Sequence, residues 1–144
     1  MNDAYNLQRF IDAQAGIYES VLSELRAGRK RGHWIWYIFP QIDGLGSSAM
    51  SLEYAIKSQG EAKAYLEHPL LGERLRECTQ LVLNLEGLTA QQIFSYPDTL
   101  KFRSCMTLFD RTACDSTIFR DALVKYFGGE PDPLTLDLLQ KKAD

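Results

Sequence analysis

The residues that could do chemistry crowd into one stretch of this sequence. Arg29, Lys30 and Arg31 lead into His33, then into both tryptophans of the chain, Trp34 and Trp36. Next come the Gln41 amide, the Asp43 carboxylate and a turn built from Gly44, Gly46, Ser47 and Ser48. The chemistry this collection suits is capture of a small anion. Arg29 and Lys30 offer positive charge to a phosphate or carboxylate oxygen. A glycine turn feeding a helix start can present backbone N–H groups to the same ligand. Trp34 or Trp36 has a face on which a flat ring can stack, and Gln41 can read a polar edge. His33 and Asp43 are the acid–base candidates. Neighbouring cations disfavour the imidazolium form of His33, and a carboxylate in a part-buried pocket can accept a proton. Far along the chain, Lys101 and Ser104 can add a cation and a hydroxyl to the same pocket.

Each residue also has a plainer reading. Cations after an acid-free helix end are favoured by the helix dipole, with no ligand needed. Aromatic residues at this density fill cores more often than they line sites. Asp43 suits a surface turn, and His33 a hydrogen-bonded loop start. The Gly44–Ser48 turn lacks the third glycine of a dinucleotide fingerprint and the Lys-Ser/Thr of a P-loop. His33 and His68 have no acid or cysteine at ligand spacing, so no metal site is assigned, and nothing in the sequence calls for a cofactor. Cys105 has no visible activating partner and is not read as a nucleophile.

These residues must be positioned by helices. Apolar residues from Leu7 to Leu25 recur at three- and four-residue spacing and predict one helix over residues 5–26, stopped by Gly28. The apolar run 33–39 predicts a short buried helix ending near Pro40. Ser48 or Ser51 can cap the next helix, and Ser58-Gln59-Gly60-Glu61 and Thr89-Ala90-Gln91-Gln92 match capping boxes. His68 before Pro69 marks a break, which assigns His68 a structural role. Asp98, Ser116 and Asp132-Pro133 open three further helices. With no convincing strand alternation and no linker or repeat, residues 1–144 are expected to form a single all-α domain of seven or eight helices.

Composition sets the outer limits. The chain is 45% apolar and 24% charged, ordinary for a globular protein. No run of about 18 apolar residues is present to cross a membrane. The N-terminus lacks the pattern of a secretory signal, and three cysteines without C-x-x-C spacing fit a reducing cytoplasm. A formal net charge of −3 argues against nucleic acid as a partner, yet four cations and no acid lie between Glu24 and Asp43.

Four blocks, in order, carry a family resemblance: GRKRGHWIWYIFPQIDGLGSS, EAKAYLEHPLLGERL, KFRSCMTLF and YFGGEPDPLTLDLL. Together they resemble the domain-of-unknown-function 1810 family. The resemblance implies a compact all-helical bacterial domain and carries no activity with it. Where the family pattern reads S-S-M-T-L-F, this chain has Ser104-Cys105-Met106, so the second hydroxyl is absent.

Two functions from different classes fit these observations. One is a domain that binds a small anionic metabolite, a nucleotide or sugar phosphate, with or without catalysis. In that case Arg29 and Lys30 hold the phosphate and His33 or Asp43 moves a proton. The other is a non-enzymatic module that docks a partner through the same basic and aromatic segment. The directions of His33 and Gln41 separate them: convergence of both on one enclosed pocket favours the small ligand, and both lying on a flat face favours a partner.

Overall fold

The computed structural model describes residues 3–115 and 118–142, and among them the chain forms ten helices in one packed body with no strand. They are α1 (Gln8–Gln14), α2 (Tyr18–Ala27), α3 (Ile35–Ile38), α4 (Ala49–Glu53) and α5 (Gln59–Glu67), followed by α6 (Leu71–Asn84), α7 (Ala90–Phe94), α8 (Asp98–Thr112), α9 (Ile118–Phe127) and α10 (Pro133–Lys141). The count exceeds the expected seven or eight in part because the helix expected over 5–26 is two. Ala15 is extended and Gly16 has φ +81°, which breaks the chain between α1 and α2. The apolar spacing runs through the break because both helices face the same core, Phe10 from α1 and Val21, Leu22 and Leu25 from α2. Periodicity reports the face, not the continuity of the helix.

Most start signals act as expected. Ser48 caps α4 and Ser58 caps α5, each accepting a backbone N–H, and Thr89 with Gln92 forms a complete capping box on α7. Glu61 departs from its box. Its Oε1 accepts from Lys57 N rather than from Ser58 N, and its Oε2 lies 2.6 Å from Arg9. His68 Nδ1 accepts from the N–H groups of Leu70 and Leu71 and so caps α6. Asp98 sits in the first turn of α8 rather than at its cap, whereas Asp132 caps α10 as expected. Ser116, the expected cap of α9, lies outside the described residues.

Helix α8 is the axis of the molecule. Its Phe102, Cys105, Met106, Leu108 and Phe109 are fully buried, and α3, α5, α7, α9 and α10 pack around it. Rings on those neighbours meet it in two groups. Phe39 and Phe94 lie 5.0 and 4.5 Å from the Phe102 ring, and Tyr65 and Phe119 lie 5.6 and 5.9 Å from the Phe109 ring. Aromatic pairs at these separations add to the area they bury. Beyond α3, a parallel bridge between Ile42 and Ile56 ties the 41–43 segment to the chain before α5. Asp43 N donates to Ile56 O and Ile56 N to Gln41 O, both at 2.8 Å. That bridge sets the position of the loop around the glycine turn.

A candidate ligand cleft between the glycine turn and the central helix

A cavity of about 300 Å³ opens between the 41–55 segment on one side and α8 with the start of α10 on the other. Trp36, Gln41, Gly44, Gly46, Lys101 and Ser104, six of the residues singled out above, line it together. The 41–55 wall is held from behind by Arg9. Its guanidinium donates to the carbonyls of Glu53 and Ala55, to those of Tyr5 and Asn6, and to Glu61 Oε2 at 2.6 Å. One buried cation thereby ties α1, the end of α4 and α5 to a single position. Tyr54 and Ala55, next to those carbonyls, form part of the wall.

Packing fixes the backbone of the glycine turn. Gly44 has φ +111°, and a Cβ there would stand 2.9 Å from Leu138 of α10. Only glycine takes that backbone against that neighbour at no cost. The first turn of α4 is occupied by Ser48, whose hydroxyl accepts from Ser51 N, and the helix is only five residues long. Ser47 and Ser48 are exposed and do not line the cleft.

On the opposite wall, Asp132 caps α10 while facing the cavity. Its Oδ2 accepts from Thr135 N at 3.2 Å and Thr135 Oγ1 at 2.5 Å, and Ser104 Oγ lies 3.0 Å away. The Asp132 N–H in turn donates to Thr107 Oγ1 at 2.9 Å. Arg103 donates to the carbonyls of Glu130 and Pro131 and so braces the loop that leads to this cap. Lys101 and Gln41 line the cleft, and neither side chain has a hydrogen-bonding partner among the described groups. The Trp36 indole N–H is the one described side-chain donor that is both buried and unpaired. Its ring forms part of the wall.

The basic half of the predicted site lies elsewhere. Lys30 is 5% exposed at its side chain and pairs with Asp98 Oδ2 at 2.7 Å, at the start of α8; it also donates to Gly32 O and lies over the Trp34 ring. A cation already neutralised in this way is not open to a ligand. Trp34 is buried, and its Nε1–H donates to Glu24 Oε1 at 2.9 Å. The same Glu24 oxygen accepts from Arg31 N and Gly32 N. Burial pushes this carboxyl up, but those N–H groups, the indole and Lys30 outweigh it and hold Glu24 below its ordinary value. The acid-free run after Glu24 therefore conceals two acid partners, Glu24 itself and Asp98. Arg29 and His33 are exposed away from the cleft, and Asp43 pairs with Lys142 at 3.6 Å. His33 and Gln41 do not converge on one pocket.

Among the described residues no group of three His, Cys, Asp or Glu side chains gathers to hold a metal. Cys105 and Cys78 are buried. Burial raises the Cys105 thiol well above its ordinary value and pushes Cys78 up to about 12, so neither is an activated nucleophile. The sequence reading missed Asp132, Ser51, Leu100 and Leu134 as lining residues. Asp132 was legible as a cap, but nothing in sequence says that a residue 28 positions after Ser104 meets its hydroxyl.

The family described as "Protein of unknown function (DUF1810)" matches residues 4–139. The crystal structure of a conserved hypothetical protein from Mycobacterium tuberculosis is similar at 52% sequence identity. The match covers 96% of this chain and 99% of that one, with a TM-score of 0.95. No curated protein matches the sequence.

Proposed function

The chain belongs to the DUF1810 family, and we propose that it is a small-ligand-binding domain whose cleft takes an anionic metabolite of nucleotide or sugar-phosphate size. One observation carries this reading: Lys101, a cation with no partner among the described residues, lines a concave site together with Trp36 and Gln41. Concave, largely apolar sites with a few convergent polar groups are where small molecules bind, and about 300 Å³ is the lower end of their range. The protein works in the cytoplasm, away from membranes and nucleic acid. In support, no described helix is long and apolar enough to cross a membrane, and the net charge is −3. Whether a reaction follows binding is left to the ligand, since neither acid–base candidate, His33 nor Asp43, lines the cleft.

A panel of nucleotides and sugar phosphates, read by thermal shift, tests the proposal. A ligand at about 100 times its Kd adds about 2.7 kcal/mol, several degrees in Tm. Lys101→Glu abolishes the shift, whereas Arg29→Ala and His33→Ala leave it intact. Silence across the panel overturns the reading.

The docking-module reading keeps one specific support. Leu100 and Leu134 line the cleft at 50% and 63% exposure, and Tyr96 beside Pro97 is 73% exposed. An apolar rim of this kind can be a partner's footprint. The same panel decides between them, because a ligand that enters the cleft covers Leu100 and Leu134 itself.

A further inference from the structure

The cleft carries charge of both signs, and the protein leaves both open. Lys101, on the α8–α10 wall, has no side-chain partner among the described residues. On the same wall, Asp132 Oδ2 is engaged by Thr135 and Ser104, whereas no described group claims Oδ1. That oxygen is not among the buried unpaired atoms, so it reaches solvent. The Gln41 amide, which can both donate and accept, is open as well. An ammonium only donates and a carboxylate only accepts. An anion alone would satisfy Lys101 but would meet repulsion from Asp132 and leave the exposed Leu100 and Leu134 uncovered.

Resting on the reading that the cleft binds a small anion, we infer that its ligand also carries an N–H donor on a flat apolar body. The anionic group meets Lys101, the donor meets Asp132 Oδ1, and the ring lies between the Trp36 wall and Leu100 and Leu134. Gln41 reads a further polar edge. An aminated nucleoside monophosphate is the class that combines these features. A cavity of about 300 Å³ holds one ring system with one charged group, not a dinucleotide.

Calorimetric titration of the full chain separates this inference from the reading beneath it. The probes are adenosine, cytidine and guanosine monophosphates, ribose phosphate as the anion alone, and purine riboside monophosphate, which is the adenosine nucleotide without its amine. At least one aminated nucleotide is expected to bind roughly ten- to a hundredfold tighter than ribose phosphate, the range for a hydrogen bond to a charged group. Lys101→Met weakens every phosphorylated probe. Asp132→Asn keeps the helix cap, because Asn caps as well as Asp, so its melting temperature stays close to that of the wild type. It is expected to remove most of the preference for the aminated nucleotide while ribose phosphate binds no more weakly than before, since the repelling charge is gone. If ribose phosphate or the amine-free nucleotide binds as tightly as the aminated ones, the inference is overturned and the anion site stands. An unchanged preference in Asp132→Asn overturns it equally. No binding of any probe removes both.

Discussion

Glu24 shows how a single carboxylate organises the stretch that carries most of the sequence's chemistry. Its Oε1 accepts from two backbone N–H groups and from the Trp34 indole, which pins the 31–34 loop and seats Trp34 in the core. These donors favour the ionised form, so the folded-state value of Glu24 is lowered. A lowered carboxylate contributes its stability in full above its ordinary value, and loses it as pH falls through the folded-state value. Glu24→Gln is therefore expected to cost about 1–2 kcal/mol at neutral pH. Its stability curve should approach the wild-type curve only as pH falls below the ordinary carboxylate range and through the lowered folded-state value of Glu24, where both side chains are neutral. Urea titrations of the two proteins across this range would read the effect, and a constant gap down to the acid limb would refute it. At this scale the residue types were legible and their partners were not. Lys30 reads as a free cation in sequence because Asp98 is far away along the chain, yet the two meet at 2.7 Å.

Helix contacts depend on details that residue types conceal. Gly72, in the first turn of α6, lies so close to α5 that a Cβ would stand 2.0 Å from the Leu66 carbonyl oxygen. The obstacle is backbone, which cannot swing aside as a side chain can. Gly72→Ala is thus expected to destabilise the protein by roughly 2–3 kcal/mol, against the small gain alanine brings to an open helix position. Gly60→Ala is the control, because its nearest neighbour is the Tyr5 hydroxyl at the end of a movable, exposed side chain. Equal melting temperatures for Gly72→Ala and wild type would show that the α5–α6 corner is looser than described. Element boundaries followed local chemistry closely wherever a cap was present, as at Ser48, Ser58, Thr89 and Asp132. They failed at residues 15–17, where the break comes from one left-handed glycine inside an unbroken apolar stripe.

Across the whole molecule, α8 packs against five other helices, and its buried face runs from Phe102 to Phe109. Opening it requires parting α3, α5, α7, α9 and α10 together. The amides of residues 102–109 are accordingly expected to exchange hydrogen only through global unfolding, with the five-residue α4 exchanging far faster by local opening. Comparable protection in α4 and α8 would count against this hierarchy. The same helix also explains how the site divides between sequence and structure. Apolar spacing, caps and glycine terminators determined the all-helical class and most helix starts, because those signals act within a turn or two of chain. The four family blocks pointed to the family for the same reason, since each is a continuous run of residues. Only the tertiary structure decided which charges are open. Packing around α8 spends Lys30 on Asp98, leaves Lys101 in the cleft and brings Asp132 to Ser104 from 28 positions away. Whether a charge is neutralised depends on neighbours within a few ångströms, and helices bring those neighbours from any distance along the chain.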